Sequence, residues 1–339
     1  MARLPRFPRR RWIAATVAVA GVAVAVLFLR RSLPGIADMR QAIAAASAGW
    51  LGVAAVAQVA SIAMFALQQR RLLVAYGGRM SMRRSMGLTV ARTAISIALP
   101  GGAAVSGGYA VAAFRRRGSD VASATAMIVL AGAQSLGALA LVYLVWFAAV
   151  GYSAAGGSAP VHAGYAAVLV GACVGGVYAG RWLLGRDWRV RETPPEPAGA
   201  IRRRVDELAA LAADTVRNAA SLSTKDWATG SAYAMGNWVL DIACLLFTAR
   251  AFGLRVGLLG VVGAWLAVQL VRQIPVTPGG IGIVEAGLIV ALVAAGATGG
   301  TAAAVVLTYR ILSCWLIAPI GMLAWVGLQA SDRRAEDSG

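Results

Sequence analysis

The sequence predicts an all-α, polytopic integral membrane protein with inverted repeats, each containing a Pro-Gly-Gly broken (re-entrant) hairpin. Three observations lead there. Of 339 residues, 59% are hydrophobic and only 14% charged, against about 25% charged in an ordinary soluble domain. The apolar residues gather in long uncharged windows such as Trp12–Leu29, Gly49–Leu67, Val121–Gly151 and Val161–Gly180. A helix needs about 20 such residues to cross hydrocarbon with every backbone amide satisfied internally. Finally, Pro100-Gly101-Gly102 recurs 178 positions later as Pro278-Gly279-Gly280.

Taken in order, residues 1–11 form a basic cytoplasmic N-terminus, 12–328 one transmembrane domain and 329–339 a cytoplasmic tail. Arg9-Arg10-Arg11 before an apolar run resembles a secretory signal. The run is long, however, and ends in Arg30-Arg31 without a small-x-small cleavage site, so an uncleaved anchor is expected. Trp12–Leu29 then crosses outward and Gly49–Leu67 returns. Residues 86–114 make a hairpin broken at the hinge Pro100, Gly101 and Gly102. Val121–Val150 crosses outward and Val161–Leu184 returns to an amphipathic cytoplasmic loop, 186–226, which suits the membrane interface. Trp227–Ala249 crosses outward, 257–296 forms the second broken hairpin, and Thr301–Leu328 ends inside. This path puts 24 of the 32 Lys and Arg residues inside, 5 outside and 3 within the membrane. Such an asymmetry orients both termini to the cytoplasm of a bacterial cell's inner (plasma) membrane.

At the same 178-residue shift Gly118 falls on Gly296, and Ser123-Ala124-Thr125-Ala126 on Thr301-Ala302-Ala303-Ala304. Three crossings between the hairpins would invert the second copy. Inverted repeats with broken helices meeting near the bilayer midplane are a common construction of secondary transporters. Proline ends a helix ladder, glycines permit the reversal, and the helix start that follows favours anions.

Five charges stand in otherwise apolar segments: Arg92, Asp241, Arg272, Glu285 and Arg310. Each costs about 2.5–3.5 kcal/mol at the bilayer centre and needs a cavity or a partner. Pairs holding helices together, Asp241 with Arg272 and Glu285 with Arg310, would satisfy that need. A substrate cavity would also satisfy it, and the number of charges favours that reading. Arginine is well shaped for a bidentate grip on phosphate. Trp238, Trp265, Trp315 and Trp325 read as packing or interface anchors.

The net charge of +18 is spread over short cytoplasmic segments. It therefore points to anionic lipid surfaces rather than nucleic acid. Cys173, Cys244 and Cys314 lie in apolar runs and read as small hydrophobes, and the single His162 reads as interfacial. With no nucleophile–base pair, P-loop or metal spacing, neither a cofactor nor an enzymatic reaction is expected.

The run Gln273-Ile274-Pro275-Val276-Thr277-Pro278-Gly279-Gly280-Ile281-Gly282-Ile283-Val284-Glu285 resembles the lysylphosphatidylglycerol synthetase transmembrane region. This flippase-like family is shared with the multiple peptide resistance factors. Trp238 with Asp241, Tyr309-Arg310 with Trp315, and Leu99 through Gly102 to Gly118 extend the likeness over roughly residues 10–330. The resemblance implies lipid headgroup translocation and a lipid-binding role for Pro278, Gly279, Gly280, Glu285 and Arg310. The sequence ends at Gly339 without the cytosolic synthase domain, and Ser106-Gly107-Gly108 replaces an acidic residue expected after the first turn. Both departures count against lysyl-phosphatidylglycerol itself as substrate. The expected partner is a membrane phospholipid or glycolipid, and a homo-oligomer is left open. The alternatives are a non-transporting scaffold, or lipid-binding partner, of an envelope lipid enzyme and, more weakly, a polyprenyl-lipid transferase.

Overall fold

A computed structural model describes residues 44–98, 102–116, 119–154, 217–218, 221–272 and 280–337. The expected spans Trp12–Leu29 and Val161–Leu184, most of the 186–226 loop, Cys173 and His162 lie outside them. So do Pro100, Gly101, Pro278 and Gly279 of the two turns.

The described residues are helical, with no strand among them. The helices are α1 (Ala48–Ala75), α2 (Met82–Ala98), α3 (Gly102–Arg115), α4 (Val121–Ala154), α5 (Thr224–Ala251), α6 (Leu258–Arg272), α7 (Ile283–Ala294), α8 (Gly299–Arg310) and α9 (Ile317–Asp337). A π-helical turn, Ile311–Trp315, joins the last two. Four stretches are long and apolar enough to cross a membrane: α1, α4, α5 and the run Gly299–Ser331. Between 17% and 39% of each apolar window is buried within the protein. The remainder presents side chains such as Val56, Phe147 and Leu323 outward, as helices do when lipid completes their packing.

The chain divides into two compact units. The first comprises Met1–Gln58, Thr93–Val105 and Asp241–Met322. In it α6 packs on α7 and α7 on α8, over a core that includes Val261, Leu266, Leu288, Leu292, Val305 and Val306. The end of α5 meets the start of α1. The Ser47 amide donates to the Ala251 carbonyl at 2.8 Å, and Trp50 stacks on Phe247 with ring centroids 5.7 Å apart. Gly102 opens α3 so close to the end of α2 that a Cβ there would lie 2.6 Å from the carbonyl oxygens of Ile95 and Ser96. No residue but glycine fits without backbone movement.

The run 301–328, continuous in the sequence, is interrupted in the structure. The Leu316 amide reaches back five residues to the Ile311 carbonyl at 2.9 Å. Pro319, three residues further on, has no amide for the Trp315 carbonyl, so the regular ladder could not have continued here unbroken.

The second unit comprises Val59–Arg92, Ser106–Leu240 and Leu323–Gly339. Its core is Leu72, Leu73, Leu88, Phe114, Met127 and Leu130. A row of neutral polar groups threads it. Gln68 Nε2 donates to Gln134 Oε1 at 3.0 Å and to the Ala131 carbonyl at 3.2 Å. Ser61 Oγ donates to the Asn237 carbonyl at 2.8 Å, and Asn237 Nδ2 returns a bond to the Ser61 carbonyl at 3.0 Å. Nearer the helix ends, Arg71 pairs with Asp226 at 2.6 Å, and the Tyr76 hydroxyl donates to the Asn218 carbonyl at 2.6 Å.

Candidate functional site

The first unit gathers three of the five embedded charges into its interior: Asp241, Glu285 and Arg310 are all buried. Local sequence explains how each is presented. Gly280 and Gly282, at φ +68° and +88°, take left-handed backbone that side chains resist. They bring the chain into α7 with Glu285 in its first turn. There Glu285 Oε2 accepts from the Gly282 amide at 2.6 Å, satisfying one of the donors a helix start leaves open and placing negative charge at its positive end. The other oxygen, Oε1, accepts from Arg310 Nε at 2.5 Å. Arg310 is the last residue of α8, immediately before the π turn. With side chains 2% and 3% exposed, this is a closed ion pair.

Asp241 sits within α5, and its Oδ2 accepts two hydrogen bonds, from Trp265 Nε1 on α6 and from the Tyr309 hydroxyl on α8, each at 3.0 Å. An indole and a phenol thus hold the carboxylate in a fixed orientation. Both Arg272 and Arg310 lie within its electrostatic reach. Arg272, at the end of α6, is exposed; its Nη1 donates to Gln269 Oε1 at 3.1 Å. Buried Gln269 leaves its Nε2 without a partner, as does the buried Ser313 hydroxyl in the π turn. Cys244 and Cys314 are free and buried.

Of the two pairs that sequence suggested, Glu285 with Arg310 forms. Asp241 instead takes Trp265 and Tyr309, because the indole and phenol donors reach its oxygen directly while Arg272 turns outward. Trp265 therefore does more than pack. It and Tyr309 were visible in the sequence as residues near charges, but aromatic side chains are common at membrane interfaces and nothing in their spacing marks them as ligands of a carboxylate. Gln269 was missed because a single amide in an apolar helix carries no charge signal.

Arg92 belongs to the second unit, and its bonds stay there. Its Nη1 donates to Gln69 Oε1, and its Nε to the Ser106 carbonyl at 3.3 Å. Gln69 in turn donates to Thr89 Oγ1 at 3.5 Å.

No group of three or more His, Cys, Asp and Glu residues that could hold a metal ion occurs among the described residues. What the first unit offers is a buried set of alternating charges and polar donors, in a region that elsewhere is apolar. Comparison with known proteins agrees with the helical, membrane-spanning reading. A UPF0104 membrane protein of Methanothermobacter thermautotrophicus is 32% identical over 87 residues, which is 26% of this chain and 26% of that protein. The match thus spans about a quarter of that relative's length. The family profile described as the lysylphosphatidylglycerol synthase TM region covers residues 13–321, taking in all five embedded charges, and the chain belongs to that family.

Proposed function

We propose that the protein moves an anionic or glycosylated envelope lipid across the bacterial inner membrane. The headgroup engages the cluster of Asp241, Arg272, Glu285 and Arg310 beside the turn of Pro278, Gly279 and Gly280, while the acyl chains stay in the bilayer. The observation that carries this reading is the sealed Glu285–Arg310 pair beside Asp241. Ionisable groups are expensive at that depth and usually mark a pathway. Membership of a family defined by its transmembrane region agrees with a role in the bilayer rather than in cytosolic synthesis. In this reading both termini are cytoplasmic, and the turns at Pro100–Gly102 and Pro278–Gly280 are re-entrant hinges serving opposite faces.

The hinges require inverted repeats, and two regularities support that. Helices α1 and α5 are both 28 residues long and begin 176 positions apart; α2 and α6 also begin 176 apart, and α4 and α8 178 apart. The second regularity is one of pairing. In the first unit Ser47 meets Ala251 and Trp50 meets Phe247; in the second, Ser61 meets Asn237 and Arg71 meets Asp226. Within each unit partner numbers rise in α1 as they fall in α5, so the paired segments run antiparallel. Ser61 and Asn237 are themselves 176 apart and exchange reciprocal side-chain-to-carbonyl bonds. That is how two equivalent positions bond at a two-fold axis. The same offset converts Trp50–Phe247 into Asp226–Arg71.

Reconstitution in liposomes tests the proposal. Fluorescent phosphatidylglycerol and a glycosylated lipid should cross proteoliposome bilayers faster than those of empty vesicles, and Glu285→Gln should abolish the difference. Rates equal to those of empty vesicles for every lipid tried would favour a scaffold instead.

A further inference from the structure

The second unit carries a charge that its own residues leave uncompensated. Arg92 is 9% exposed, and the side chains around it, Gln69, Thr89 and Ser106, are buried as well. Its two bonds go to neutral oxygens, an amide and a backbone carbonyl; no carboxylate pairs with it among the described residues. Two other arginines are handled differently. Arg310 has Glu285 at 2.5 Å, and half-buried Arg71 has Asp226 at 2.6 Å.

A guanidinium presents five N–H donors in a fixed fork, and the two bonds leave donors over. Arg92 is buried but not sealed, keeping 9% of its surface accessible. Burying an isolated cation is costly, and a membrane protein retains one where it serves. Gln69, whose amide is held by Thr89, and the Ser106 carbonyl fix the direction of the fork without cancelling its charge. Dipoles that orient a cation and leave it charged suit a site for an anion, and planar bidentate geometry suits phosphate oxygens.

We propose that Arg92 is the anion-binding residue of a phosphate site in the second unit, oriented by Gln69, Thr89 and the Ser106 carbonyl. The ligand chemistry is a phosphate monoester or diester, carried by a lipid headgroup or free in solution. The site deepens the lipid-transport reading by naming the charge class of the headgroup, but it stands or falls on binding alone.

The test uses the full chain in nanodiscs of phosphatidylcholine, without and with phosphatidylglycerol, and follows thermal unfolding together with lipid retention by native mass spectrometry. For the natural protein, phosphatidylglycerol should raise the unfolding midpoint. Arg92→Gln should unfold at a higher temperature than the natural protein in pure phosphatidylcholine, since an uncompensated charge is gone. It should also bind phosphatidylglycerol at least about tenfold more weakly, the worth of one charge-assisted hydrogen bond. Arg92→Lys should keep part of the affinity. If inorganic phosphate in pure phosphatidylcholine reproduces the rise, free phosphate is the source; if phosphatidylglycerol alone does, it is a headgroup. The proposal is overturned if Arg92→Gln is less stable than the natural protein in phosphatidylcholine, which makes Arg92 a structural strut, or if it retains the full response to phosphatidylglycerol. Absence of transport with Arg92-dependent binding intact would remove the transport reading and leave this site standing.

Discussion

Arg310 in the first unit and Arg92 in the second are the same side chain in similarly buried places, 1% and 9% exposed, answered by different chemistry. Arg310 meets a carboxylate that is itself tied to a helix start, so the pair is neutral and its geometry closed. Arg92 meets an amide and a carbonyl, whose dipoles steer the guanidinium and leave its charge in place. The difference separates two jobs for an embedded arginine. A carboxylate partner compensates the cation and links α7 to α8 through the pair. Neutral acceptors turn it into a waiting half of an ion pair. Sequence position alone does not distinguish them, since both residues stand in apolar helices.

The largest expected effect breaks the closed half of this contrast. Glu285→Gln leaves a buried guanidinium without its counter-charge and also weakens the bond to the Gly282 amide. Removing one partner of a buried pair costs about 3–5 kcal/mol, so chemical or thermal unfolding in detergent should show a loss of that order. The double variant Glu285→Gln/Arg310→Leu should recover most of it. A single variant as stable as the natural protein would mean that Arg310 is not held by Glu285 at all, and the two arginines would be alike.

The two glycine turns extend the comparison. Gly280→Ala meets a backbone penalty of about 1–2 kcal/mol for left-handed φ, and its Cβ would lie 2.6 Å from Val284 Cγ2. Gly102→Ala meets no such φ; its cost, about 1–3 kcal/mol, comes from overpacking against carbonyl oxygens that cannot rotate away. Stability should therefore fall in both, but restoring room with Val284→Ala should rescue Gly280→Ala in part and leave Gly102→Ala unchanged. Equal rescue of both would show that the turns are strained for the same reason. At Ser61 and Asn237 a double-mutant cycle to alanine should show a coupling of about 1 kcal/mol, and additivity would remove the reciprocal bonds from the argument for a repeat.

How far the sequence reached depends on what kind of signal each residue gives. Glu285 and Arg310 were legible as partners because a charge in an apolar run demands compensation. Asp241's bonds to Trp265 and Tyr309 were not, since any apolar residue can share a helix with an aromatic donor and only the approach of α5, α6 and α8 selects these two. The glutamine row of Gln68, Gln69 and Gln134 was silent for a related reason. A neutral amide costs less to bury than a charge, so its presence raises no alarm until its partners are seen. The π turn leaves no mark in hydropathy, where Ile311–Trp315 reads like the helix on either side.

The smallest effect concerns a carboxylate outside the apolar windows and shows by contrast what burial does to the others. Asp120 precedes α4 and caps it: Oδ1 accepts from the Ser123 amide at 2.6 Å and Oδ2 from the Ser123 hydroxyl at 2.9 Å. Those bonds hold its carboxyl below the ordinary value of 3.8, with no neighbouring cation needed. A depressed carboxylate stabilises the folded state fully above its unfolded value and loses that contribution as pH falls through the folded one. Asp120→Ala should therefore cost about 1 kcal/mol at neutral pH, as for other helix N-caps, and the gap from the natural protein should close as pH drops below about 4. Asp120→Asn keeps an acceptor for Ser123 without a titrating group, so it should retain much of the cap and lose the acid dependence. A gap that stays constant from neutral to acid pH would show that the cap acts through packing of α4 rather than through this carboxylate.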